Sequence, residues 1–155
     1  MNKLEYIPGD IVKIEYGKAT GKIGFVTHTF LRRKGCYRLV VFIGKGFQGS
    51  SKDDWIQTYN DEVSPIPLTT EILEKNGWEK KAMSRGIKNS HLVYTKPDIE
   101  EYGYVPIYIE KGIGKEFDVY PFTYNNVCKP IAYIKYVHEL QHLLFGLGLN
   151  SEMEV

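Results

Sequence analysis

Cysteine is scarce in this sequence: Cys36 and Cys128 are the only two, far apart and with no C-x-x-C spacing. A disulfide framework is not expected, and both are expected as buried thiols. No apolar run approaches the length that spans a bilayer, which excludes a transmembrane helix. The start, Met1-Asn2-Lys3-Leu4-Glu5-Tyr6, lacks the apolar stretch of a signal peptide, so the expectation is a cytosolic protein with no membrane partner. Excess charge is also missing. A formal net charge of +1 removes any argument from overall basicity. What is present is 43% apolar residues over 155, enough for one ordinary domain or two small ones. Twelve tyrosines and seven phenylalanines favour β-structure and supply surface suited to stacking.

Along the first 66 residues the β-rich runs are Asp10 to Tyr16, Lys22 to Thr29, Tyr37 to Ile43 and Trp55 to Tyr59. Glycine-bearing or basic turns separate them, including Arg32-Arg33-Lys34-Gly35. Pro8-Gly9-Asp10-Ile11-Val12-Lys13-Ile14, followed by Gly21-Lys22-Ile23-Gly24-Phe25-Val26, resembles the opening of SH3-like barrels of the KOW type. That resemblance implies a small N-terminal β-barrel over 1–66.

Ser64-Pro65-Ile66-Pro67-Leu68 marks the boundary, because alternating prolines force an extended segment and block ladder hydrogen bonds. A short helix capped by Thr69 and stopped at Gly77 follows. Trp78 to Met83, His91 to Thr95, Pro106 to Glu110 and Glu116 to Tyr120 then read as an antiparallel meander. Pro130 opens a predicted long helix over 130–147. The predicted fold class is thus α+β: an SH3-like barrel over 1–66, then an α+β domain over 67–155 whose meander packs on a long C-terminal helix.

That last segment contains His138-Glu139-Leu140-Gln141-His142, a literal H-E-x-x-H. On a helix the two histidines share one face and could hold zinc, with Glu139 as general base of a hydrolase. A catalytic zinc takes a third protein ligand, however, and Phe145 and Gly148 stand where the extended motif needs glycine and histidine. Only 13 residues follow His142, and no spacing singles out a remote ligand such as His91 or Glu110. Against this, Ile134, Val137, Leu140, Leu144 and Leu147 recur at helical steps, widened by Tyr133, Tyr136, Leu143 and Phe145 until the second half of the helix is apolar nearly all round. The preferred reading is a buried structural helix with no cofactor; zinc bound by His138 and His142 is the alternative.

Gly44-Lys45-Gly46-Phe47-Gln48-Gly49 fits G-x-G-x-x-G but leads to another strand, whereas a dinucleotide site requires strand, turn and helix in that order. Charge is more informative. Residues 1–66 hold ten Lys and Arg against seven Asp and Glu, while 67–155 hold ten against twelve. The candidate ligand-binding residues are therefore Arg32, Arg33, Lys34 and Lys45, with Tyr37 and Phe47 as stacking rings.

Pro65-Ile66-Pro67-Leu68-Thr69-Thr70-Glu71-Ile72-Leu73-Glu74-Lys75-Asn76-Gly77-Trp78, together with Tyr136-Val137-His138-Glu139-Leu140-Gln141, resembles a family of small uncharacterised proteins from gut bacteria and their phages and mobile elements. The resemblance runs from Pro65 to the C-terminus. It implies an accessory protein of phage or mobile-element type, and a helix-packing role for the histidine-glutamate-leucine-glutamine core. The expected function is non-enzymatic binding of an anionic partner, nucleic acid or nucleotide, or else of a host protein. The zinc hydrolase is the alternative from another class.

Overall fold

The computed structural model describes residues 5–45, 50–85, 89–97, 107–121 and 129–155. The chain divides into two compact units, Met1–Ile66 and Pro67–Val155.

The first unit is a five-stranded antiparallel sheet of β1 (Ile11–Ile14), β2 (Ile23–Arg33), β3 (Cys36–Phe42), β4 (Trp55–Tyr59) and β5 (Val63–Pro65). The strand order is β4-β3-β2-β1-β5. Period-two alternation sends Val12, Ile14, Val26, Leu39, Val41 and Val63 to one face, where Tyr6 and Ala19 complete a buried core. On β2 a bulge reverses the phase of the alternation. Val26 pairs with Val41 and His28 with Val40, so Thr27 is the extra residue; before it Phe25 faces away from the core, and beyond it His28 and Phe30 do. A two-residue loop, Lys34-Gly35, closes the β2–β3 hairpin between the paired Arg33 and Cys36. Gly35 has φ +77°, a conformation that a side chain would strain.

The expected closed barrel is not what forms. No ladder joins the edge strands β4 and β5 among the described residues, so the sheet is open. Nor do the prolines end strand pairing: Pro65 lies opposite Val12 in β5, an edge strand, where a missing N–H leaves no ladder partner unsatisfied.

The second unit holds α1 (Thr70–Lys75), β6 (Glu79–Arg85), β7 (Asn89–Thr95), β8 (Ile107–Lys111), β9 (Phe117–Pro121), β10 (Ala132–Ile134) and α2 (Val137–Gly146). Its antiparallel sheet runs β10-β9-β8-β7-β6. Thr69 caps α1 by accepting from the Ile72 N–H at 3.3 Å. Val93, Ile107, Ile109, Phe117, Val119 and Ile134 are buried on the sheet, and Leu73 and Trp78 are buried at and just beyond α1.

The long C-terminal helix is absent, and with it the predicted α+β class. The chain is mostly β, two antiparallel sheets with short helices, and α2 is ten residues long. The first part of the expected helix pairs with β9 instead. The Ile131 N–H donates to the Val119 carbonyl at 2.7 Å, and Ala132, Tyr133 and Ile134 stand opposite Val119, Asp118 and Phe117. Tyr136 is then held extended, at φ −124° and ψ 154°, as the N-cap of α2. Nor is α2 buried all round. Val137, His138, Leu140, Gln141 and Leu144 are buried, whereas Phe145 and Leu147 are exposed. No helix among the described residues is long and apolar enough to cross a membrane.

The segments bearing Pro67-Leu68 and Tyr136 to Gln141 meet in this unit. The Leu68 N–H donates to the Lys135 carbonyl at 2.9 Å, and Pro67 bridges Tyr136. Asn76 and Gln141 then fasten the tail. The Asn76 amide donates to the Glu154 carbonyl at 2.7 Å and accepts from the Glu154 N–H at 2.8 Å, as a neighbouring strand would. Gln141 donates to the Ser151 carbonyl at 3.3 Å.

Candidate functional site

The face of β2, β3 and β4 opposite the core is built from three cross-strand rows. Register places Phe25, Phe42 and Trp55 in one, His28, Val40 and Gln57 in the next, and Phe30, Arg38 and Tyr59 in the third. In the first row the rings pack on each other, Phe42 lying 5.5 Å from Phe25 and 4.8 Å from Trp55 between centroids. Phe42 is buried by this contact. The other end of the face is open. The Phe30 ring, 43% exposed, has the His28 imidazole parallel to it at 6.0 Å and the Arg38 guanidinium 5.0 Å from its centroid. The Arg38 Nε is buried there and makes no hydrogen bond among the described residues.

Beyond Phe30 the β2–β3 hairpin carries the cations. Arg32, at a second register shift, Arg33 and Lys34 are all exposed, and none forms an ion pair among the described residues. A cleft of about 420 Å³ lies under the arginines, lined by Arg32, Arg33, Cys36, Tyr59, Asp61 and Glu62. The Glu62 carboxylate is already occupied, accepting from the Thr58 hydroxyl at 2.8 Å and the Tyr59 N–H at 3.1 Å.

The residues singled out from the sequence do not all gather here. Lys45 is exposed but follows the far end of β3, about 20 Å along the strand from the hairpin turn at ~3.3 Å per residue. Tyr37 is half-buried against the core, and its N–H donates to the Asn60 side chain at 2.8 Å, so its ring does not join Phe30. Phe47 lies outside the described residues, as does Cys128; Cys36 is half-buried, not fully buried as expected. Most of the glycine-rich run, residues 46–49, lies outside the described residues; the elements that follow it are a 3-10 turn over Lys52–Asp54 and β4. Sequence reasoning passed over His28 and Tyr59 as site residues. The available signal was the alternation His28-x-Phe30, Arg38-x-Val40-x-Phe42 and Trp55-x-Gln57-x-Tyr59, read across strands.

The H-E-x-x-H residues are built into the start of α2. One Glu139 oxygen accepts the N–H groups of Lys135 at 2.8 Å and Tyr136 at 3.0 Å, so this carboxylate fixes the entry to the helix. His138, 6% exposed, stacks on Tyr136 at 5.9 Å and meets His142 edge to face at 5.6 Å. Glu110 lies on β8 opposite Asp118 and Val93, and the His91 side chain is outside the described residues. No group of three His, Cys, Asp or Glu side chains is gathered for a metal among the described residues. Comparison with protein families, with curated proteins and with solved structures finds no match for this chain.

Proposed function

We propose that this chain is a non-enzymatic nucleic-acid-binding protein, an accessory factor of phage or mobile-element type, that holds single strands on the β2–β4 face of its first unit. The observation that carries the reading is the Phe30 ring, exposed on a sheet face between His28 and Arg38 and continuous with three cations on one hairpin that form no ion pair among the described residues. An unpaired base offers a π-face to such a ring, and stacking of this kind contributes about 1–3 kcal/mol per base. Arg32, Arg33 and Lys34 supply charge for the phosphates that follow. The excess of Lys and Arg in residues 1–66 agrees in sign. The mobile-element context rests on the resemblance from Pro65 onward.

Fluorescence-anisotropy titration with short DNA and RNA strands at low salt tests this. Saturable binding is expected, weakened about tenfold by Phe30→Ala, in line with the loss of one stacked base. Replacing Arg32, Arg33 and Lys34 together by Gln is expected to flatten the slope of log affinity against log salt by about 2, at ~0.7 per phosphate contact on a single strand. Absence of saturable binding to either kind of strand would contradict the proposal and favour a host protein as partner.

A further inference from the structure

The second unit contains a cleft of about 710 Å³ between the segment Pro67–Glu71, the β8–β9 hairpin and the residues leading into α2. Its size is that of small-molecule sites. Three lysines line it: Lys111 and Lys115 from the hairpin and Lys135 from the other wall. All three are exposed and none forms an ion pair within 4 Å among the described residues. The Lys135 ammonium lies 5.5 Å from the centroid of the Tyr136 ring.

Glu71 is the one acidic residue along this lining among the described residues. Hydrogen bonds from its own backbone N–H and from the Thr69 and Thr70 hydroxyls, with Lys111 nearby, hold its carboxyl below the usual carboxylate range. Its charge is thus already engaged at the start of α1, and the cleft keeps a net surplus of positive charge. Leu68 and Phe117, both buried, contribute apolar surface beside the half-buried Tyr136 ring. The walls are also fixed before any ligand arrives. The Leu68 to Lys135 hydrogen bond and the two N–H groups held by Glu139 set the backbone that carries Lys135 and Tyr136.

We infer that this cleft binds a small molecule combining a phosphate dianion with an aromatic ring, the chemistry of a nucleoside monophosphate. The lysines neutralise the phosphate and the ligand's ring packs in the apolar part of the cleft beside Tyr136, whose own ring already stacks on His138 and meets the Lys135 ammonium, so neither half of such a ligand suffices alone. The site is separate in residues from the β2–β4 face and stands without it.

Titrating the full-length chain at low salt with nucleoside monophosphates, with ribose 5-phosphate and with a free nucleoside, read by calorimetry, tests the inference. The monophosphate should bind saturably and at least tenfold more tightly than either fragment. Lys115→Gln with Lys135→Gln should weaken it by tenfold or more, and Phe30→Ala should leave it unchanged. The inference is overturned by no saturable monophosphate binding, by ribose 5-phosphate binding as tightly, or by binding that the lysine variant spares and Phe30→Ala removes. Because oligonucleotide binding is expected to survive the lysine variant, failure of this site is distinguishable from failure of the first.

Discussion

At the scale of single residues, Glu139 decides between two readings of the same five-residue motif. As a general base its carboxylate would have to face a bound water; here one oxygen accepts two backbone N–H groups at the entry to α2. Glu139→Ala should therefore cost about 0.5–2 kcal/mol in chemical denaturation, the range for losing a helix-capping side chain. Chelator should leave the melting temperature of the parent protein unchanged. A chelator-induced drop of several degrees would reverse this assignment and return the histidines to a metal. Asn76 shows the same economy, since its amide serves both α1, through the Ile72 carbonyl at 2.8 Å, and the tail at Glu154.

At the scale of elements, β1 to β4 of the first unit were legible because alternation survives in β1, β3 and β4 almost residue for residue, whereas β5 was hidden behind prolines read as a break in pairing. The C-terminal helix was only half legible. Ile131-Ala132-Tyr133-Ile134 fits a helical stripe and a strand equally well, and the ladder to β9 decided the contest, something no local pattern contains. The candidate face was obscured for a similar reason. Phe30, Arg38 and Tyr59 become neighbours only through register, and the bulge at Thr27 sets which β2 residues look outward. The basic turn itself was visible as three consecutive cations. Within α2 the one-sided burial makes a sharp forecast: Leu140→Ala should cost about 2–5 kcal/mol, whereas Phe145→Ala, at an exposed position, should stay within about 0.5 kcal/mol. Equal losses at the two positions would mean that the helix is enclosed on both sides.

At the scale of the whole molecule, the division at Ile66 leaves the first unit a core of its own, centred on Val12, Ile14, Val26, Leu39 and Val41. A fragment of residues 1–66 should accordingly unfold cooperatively, though with the low stability of a domain this small. A non-cooperative thermal transition monitored by circular dichroism would show that this core is insufficient alone. The fold class was the least legible feature. Barrel closure depends on whether the edge strands β4 and β5 pair, and a proline at the edge is compatible with either outcome.

The most direct measurement of the central claim is a residue-resolved one: amide and side-chain chemical-shift mapping of the full chain during titration with a short single strand. The account predicts saturating shifts at His28, Phe30, Arg38, Tyr59 and the Arg32–Lys34 turn, with the Phe30 ring resonances moving upfield as a base stacks on them. Shifts confined to other surfaces, or none at saturating strand, would contradict it.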